Sequence, residues 1–132
     1  MLYLLDTNIV IAALKGVANV RRKLETTPVS SLVLSPVVLG ELEFGAEKSA
    51  YPEKNRARLA ALIEDIPMSP LDDETSKHYG RIRAQLERNG SPIGANDLWI
   101  AAQTLALGAV AVTDNVGEFS RVSGLMIENW LE

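Results

Sequence analysis

Residues 2–14, LYLLDTNIVIAAL, decide the fold. Four apolar residues, Leu2-Tyr3-Leu4-Leu5, run without polar alternation and stop abruptly at Asp6. That is the pattern of a short strand covered on both faces. Thr7 to Leu14 then reads as a short helix ended by Gly16. The alternation continues along the chain. Asn19 to Thr26 reads as a polar helix and Val29 to Leu34 as a second strand. Ser35-Pro36 supplies a capping residue and a first-turn proline for a helix running to about Ser49. Pro52 to Glu64 is the next helix. Ile66 to Leu71 has room for only a short strand, because Pro67 and Pro70 cannot donate to a ladder. Asp72 to Arg88 is a long amphipathic helix closed by Asn89-Gly90, and Ser91 to Ala95 is a loop. Asn96 is expected to cap a helix ending at Leu107, with Gly108 as its stop. Ala109 to Thr113 is a buried strand, and Leu125 to Glu128 a last one.

Strands alternating with helices imply parallel pairing and a three-layer α/β/α sandwich with a mainly parallel central sheet. In such sheets ligands bind beyond the carboxyl ends of the strands. Asp6 and Asp114 each follow a buried strand, so they are expected at one edge of the sheet.

A chain of 132 residues suits one domain spanning residues 1–132. At 47% hydrophobic and 23% charged residues its balance is globular. The absence of cysteine excludes disulfides, zinc–thiolate sites and iron–sulfur clusters, and fits a reducing cytoplasm. No basic segment precedes the apolar Met1 to Leu5, so it does not read as a signal peptide. No apolar run approaches the roughly 18 residues of a membrane span. Net charge is −4, from 13 basic and 17 acidic residues, which disfavours a sequence-neutral DNA binder. It leaves room for an enzyme acting on RNA through local basic patches and metal ions.

Three acids sit in apolar company. Asp6 ends the first strand, Glu41 lies within PVVLGELEFG (36–45), and Asp97 opens DLWIAA (97–102). Burying a lone carboxylate costs several kcal/mol unless it is paired. On a helix, Glu41 neighbours Val37, Val38, Phe44 and Gly45, and Asp97 neighbours Ile93, Gly94, Ile100 and Ala101. Glu41 is therefore expected to point with the core stripe. Each acid has a plainer explanation when taken alone. Asp6 would cap the Thr7 helix, Asp97 would sit favourably in a first helical turn, and Glu41 would lie at the stripe's edge with its head in water. Convergence on a cation explains all three together. Oxygen-only ligands select Mg²⁺ or Mn²⁺ before zinc, and such ions serve phosphate chemistry.

Four segments occur in order: Leu4-Leu5-Asp6-Thr7-Asn8, Val38-Leu39-Gly40-Glu41-Leu42, Ala95-Asn96-Asp97-Leu98-Trp99-Ile100-Ala101-Ala102 and Ala111-Val112-Thr113-Asp114-Asn115. With Glu118-Phe119 and the closing LMIENWL (125–131), they resemble the PIN-domain ribonucleases, most of all the VapC toxins of bacterial toxin–antitoxin pairs. The resemblance covers essentially the whole chain. It implies that Asp6, Glu41 and Asp97 bind Mg²⁺ or Mn²⁺. The fourth acidic position falls at Asp114 or Asn115, since many relatives carry the acid where this chain has Asn115. Thr7, Asn8 and Thr113 match polar positions near the metal, and Asn96 either caps its helix or orients Asp97. The implied reaction is metal-assisted hydrolysis of structured or single-stranded RNA loops, tRNA foremost, leaving a 5′-phosphate and a 3′-hydroxyl. The implied partners are a second copy, forming a homodimer, and a VapB-like antitoxin whose C-terminal segment covers the site in a hetero-oligomer.

The remaining inventory is consistent with this. His78, the only histidine, is expected to be exposed, and a histidine-type nuclease or a Ser-His-Asp triad has little support. Lys54, Arg56 and Arg58, then Arg81, Arg83 and Arg88, and then Arg21, Arg22 and Lys23, form three basic clusters. Each is a phosphate-contact candidate or simply a solvated helix face. Trp99 and Trp130 read as core. Two alternatives stand beside the leading reading. One is a degenerate PIN domain that binds RNA or protein without catalysis. The other is a Mg²⁺-dependent phosphatase with Asp6 as nucleophile, although its usual second acid two residues on is here Asn8.

Overall fold

β1 (Tyr3–Leu5), β2 (Leu32–Val33), β3 (Val110–Val112) and β4 (Met126–Glu128) form one sheet in the order β2-β1-β3-β4. The computed structural model describes residues 1–132. Every pairing in the sheet is parallel, with Leu5 opposite Val112 and Val112 opposite Glu128. Successive strand residues face opposite sides of a sheet. Leu4, Leu5, Ala111 and Val112 are all buried, so both faces of the central strands are covered. This is the three-layer α/β/α arrangement expected from the unalternated apolar runs.

The helices are α1 (Thr7–Leu14), α2 (Ala18–Thr26), α3 (Pro36–Glu47), α4 (Pro52–Ile63), α5 (Asp73–Arg88), α6 (Ala95–Leu107) and the single-turn α7 (Val116–Phe119). α1 packs on α2, α3 and α4, while α5 and α6 pair as a hairpin joined to the rest through α3 and β3. α3 and α4 form a second helical hairpin. One cluster of 23 buried residues runs from Leu4 to Trp130, so the elements share a single core. Trp130 closes that core against Tyr3, with ring centroids 5.6 Å apart.

Local chemistry sets most boundaries. Ser35 caps α3 by accepting from the Val37 N–H, and Asp72 caps α5 by accepting from the Thr75 N–H and hydroxyl. Gly108 ends α6 with a φ of 63°, a left-handed conformation that glycine adopts without strain.

Several expectations need correction. Val29–Ser31 is a 3-10 turn, so β2 keeps only Leu32 and Val33. The Ile66–Leu71 strand reduces to one parallel bridge, Leu34 to Met68, flanked by prolines that cannot extend it. Asn96 does not cap α6. That place belongs to Gly94, and Asn96 is an exposed residue of the first turn. His78 is half-buried and bonded to Arg81 rather than free in solvent. Trp99 is half-buried and stacks on Tyr79 at 3.9 Å between centroids.

Candidate active site

The strand order creates the site. From β1 the sheet extends one way to β2 and the other way to β3, and a crevice opens at the carboxyl ends where that direction switches. Asp6 follows β1 and Thr113 follows β3, at adjacent register positions. The Asp6 N–H donates to Val112 O at 2.9 Å, which prolongs the ladder by one bond and fixes the acid at the crevice.

Asp6 is only 5% exposed. One carboxylate oxygen accepts from the Thr7 N–H at 2.8 Å, and the other from the Thr113 hydroxyl at 2.7 Å. Asp6 is thus both the cap of α1 and a member of the site. Burial raises its pKa, which the bonds from Thr113 and Thr7 partly oppose, and the charges of Glu41 and Asp114 raise it further.

Glu41 comes from α3. Its Oε1 accepts from the Thr7 hydroxyl at 2.7 Å. It does not sit on the core stripe, which consists of Val38, Leu42 and Ala46. Glu41 lies on the flank beside exposed Phe44, with its head turned to the crevice. The edge-of-stripe alternative is therefore the correct one, and it coincides with a place in the site.

Asp97, in the first turn of α6, is pushed up to about 7. Burial is the largest cause, followed by the hydrogen bond with Glu118 and by the negative charges of Asp6, Glu118 and Glu41. A carboxylate so far from its ordinary value has no cation to neutralise it. None of the salt bridges in the protein involves Asp6, Glu41, Asp97, Asp114 or Glu118.

The fourth position resolves into a division of labour. Asn115 Nδ2 donates to Asp97 Oδ2 at 3.2 Å and to Glu118 Oε2 at 2.6 Å, so its amide bridges two acids. Its backbone N–H donates to the Thr113 hydroxyl at 2.9 Å, which ties the bridge to Asp6 through Thr113. Asp114 lies at the exposed rim and accepts from Asn8 Nδ2 at 2.8 Å. Glu118, which carried no site role in the sequence reading, stands against Asp97. Hydrogen bonds from Asn115 and with Asp97 hold its carboxyl below the ordinary value. The signal in the sequence was its i+3 spacing from Asn115 in a short helix.

No three acids stand close enough together to hold a metal ion between them as the side chains are placed. The donor set nonetheless suits a hard cation. It is all oxygen and unneutralised, and two of its carboxyls are raised by burial and mutual repulsion. Mg²⁺ in particular is bound through one or two carboxylates and keeps several waters, so a closed cage is not required.

The PIN domain profile matches residues 3–125. The chain is 38% identical over 128 residues to a protein of Salmonella typhimurium described as a tRNA(fMet)-specific endonuclease VapC, covering 97% of each. The chain belongs to the PIN-domain family, among its VapC members. A further VapC relative, ribonuclease VapC2 of Haemophilus influenzae, is 37% identical over 134 residues, with 98% of each chain covered. In three dimensions this PIN domain superposes with a TM-score of 0.93 on the DNA-bound VapBC structure from Salmonella typhimurium, at 38% identity and covering 98% and 99% of the two chains. The PIN fold accounts for the crevice: its central parallel strands bring the Asp6 and Thr113 loops side by side. No helix of this PIN domain is long and apolar enough to cross a membrane.

Proposed function

We propose that the chain is a Mg²⁺- or Mn²⁺-dependent endoribonuclease, the toxin of a VapBC-type pair, acting on structured or single-stranded RNA loops with tRNA as the favoured target. The observation that carries this is the meeting of Asp6, Glu41, Asp97 and Glu118 at one crevice, none of them in a salt bridge. Nuclease activity also agrees with the descriptions of the VapC relatives.

Asp6 and Asp97 would hold the ion, with Glu41, Glu118 and Asp114 close by. When bound, the ion lowers the pKa of water and stabilises charge building on a phosphoryl group. The protein's part is positional. The Thr113 hydroxyl and the Thr7 N–H fix both oxygens of Asp6, and the Thr7 hydroxyl aims Glu41. Asn115 holds Asp97 and Glu118 in one orientation. A cation would stabilise the charged form of the raised Asp97 and Asp6 carboxyls, so ion binding and deprotonation are linked.

A cavity of about 330 Å³ adjoins Glu41, floored by Leu14, Leu42, Ala46 and Leu59 and rimmed by Lys15 and Arg58. It suits an amphipathic segment of a VapB-like antitoxin, whose inserted cation would neutralise the neighbouring acids. The VapBC assemblies of the structural neighbours support this partner. A homodimer completes the proposed assembly.

The binding-only alternative is disfavoured because all three principal acids are present and Glu118 adds a further one. The phosphatase alternative is disfavoured because Asn8 serves as an amide donor to Asp114. Inducing the chain in cells and mapping new RNA 5′ ends tests the proposal. Discrete cuts in RNA loops are expected, and a cleavage pattern identical to that of an Asp97→Asn control would refute it.

A further inference from the structure

Beyond the acids, α3 presents an open groove of about 720 Å³ that runs from Thr7 and Glu41 past Gly40 and Gly45 to Phe44 and Lys48. Phe44 is 64% exposed, although the chain is poor in aromatics, and it is the only aromatic residue lining the groove, beside the aliphatic Ile11, Pro36 and Val37. It sits three residues after Glu41, one turn further along the same helix face. The Lys48 ammonium lies 5.0 Å from the Phe44 ring centroid. It has no carboxylate partner. Across the groove, Asn96 is exposed and its side-chain amide makes no hydrogen bond within the chain.

Gly40 and Gly45 fit the same picture. Glycine inside a helix is unfavourable, by about 1 kcal/mol relative to alanine. Neither is needed for packing, since a Cβ added at either position would meet nothing within 4 Å. Their effect is to leave the groove floor bare.

We propose that this groove seats an unpaired nucleotide of the RNA substrate, with its base stacked on Phe44 and its phosphate held by Lys48, next to the linkage that is cut. The inference rests on the ribonuclease reading above and assigns the residues that position its substrate. An exposed aromatic ring accepts any base on its open face, and the ammonium that lies over the ring, with no carboxylate partner, can turn to the backbone. The groove includes Glu41 and Thr7, so a nucleotide seated in it has its backbone beside the acids. Asn96, with a free donor and a free acceptor, is placed to read a base edge.

The test uses an Asp97→Asn parent, expected to bind without cutting, in Mg²⁺. The probe is a short, labelled single-stranded RNA of mixed sequence, paired with an abasic copy of it. Affinity is read by fluorescence anisotropy and mass by light scattering. Phe44→Leu keeps an apolar side chain but removes the stacking face, and it is expected to weaken binding about tenfold. Phe44→Tyr is expected to restore it. The abasic RNA is expected to bind the parent as weakly as intact RNA binds Phe44→Leu, and to be indifferent to that change. Lys48→Met is expected to weaken binding and flatten its salt dependence. Phe44→Leu that binds intact RNA as the parent does overturns the inference. So does an affinity loss that accompanies a changed mass, because the face is then a contact between copies. If wild type neither cuts RNA nor the parent binds it, the ribonuclease reading itself has failed. The inference alone fails when wild type cuts and Phe44 is silent.

Discussion

The Thr7 hydroxyl donates to Glu41 Oε1 at 2.7 Å across 34 residues of sequence, while the N–H of the same residue donates to Asp6. Thr7 thereby fastens an acid from α3 to an acid from the end of β1. Thr7→Val keeps the shape and the backbone bond to Asp6 but releases Glu41. Cleavage of RNA is expected to fall by about ten- to a hundredfold, the usual effect of losing a residue that orients a ligand. Thermal unfolding should change little, since one hydrogen bond contributes about 1 kcal/mol net.

Asp97→Asn should abolish cleavage while the domain stays folded. The substitution removes the carboxyl that is least at ease in its charged form, so the metal-free variant should melt at or above the wild-type temperature. Differential scanning calorimetry without metal, alongside an RNA cleavage assay, checks both halves. A variant that cleaves at the wild-type rate places the chemistry elsewhere.

The stability of the metal-free protein should decline with rising pH. Asp97 is raised to about 7 in the folded state, against an ordinary value of about 3.9 when unfolded. The unfolded chain therefore loses its proton first. The associated stability is complete below about pH 4 and is lost as pH rises toward about 7. Asp6, also raised, acts in the same direction. Glu118 and Asp72 are lowered, so their contributions are lost only under more acidic conditions. Melting temperatures from pH 4.5 to 7.5 in chelator should fall by several degrees in wild type and by clearly less in Asp97→Asn.

Chelation with EDTA should stop RNA cleavage, and Mg²⁺ or Mn²⁺ should restore it. Protons compete with the ion for Asp97 and Asp6, so the metal concentration for half-maximal activity should rise as pH drops below about 7. Added Mg²⁺ should also raise the melting temperature, by the equivalent of about 2.7 kcal/mol at a hundred times its Kd. Activity undiminished in chelator would sink the metal mechanism.

Asn115→Ala and Glu118→Gln should each lower cleavage more than Asp114→Ala. Asn115 orients Asp97 and Glu118, whereas Asp114 stands at the solvent rim with Asn8. Losses of about ten- to a hundredfold are expected for the first two. Side-by-side kinetics of the three variants decide the matter, and the reverse ranking would make Asp114 the fourth acid.

Where the sequence reading succeeded, the determinants were local. LYLL before Asp6, the Ser35-Pro36 cap and AVAVT carry their structural meaning within a few residues. Gly108 ending α6 is local in the same sense. It failed where neighbours distant in sequence decide the outcome. Asn96 looked like a cap because its chemistry allows one, but the chain enters α6 two residues earlier at Gly94. Glu41 looked buried because its helix neighbours are apolar, but α3 turns its Phe44 side to solvent. Glu118 went unassigned because nothing in its own segment announces Asp97, 21 positions earlier.

The sequence by itself determined the alternation of strands and helices, the parallel sheet and the presence of three acids in apolar company, since hydrophobic periodicity and residue chemistry are properties of short segments. Only the tertiary structure decided which acids meet, that Asn115 bridges two of them while Asp114 stays at the rim, and that Phe44 borders the crevice. Those relations follow from packing α1, α3, α6 and α7 around the carboxyl ends of β1 and β3. Burial and charge there act over a few ångströms of space between residues up to about a hundred positions apart along the chain.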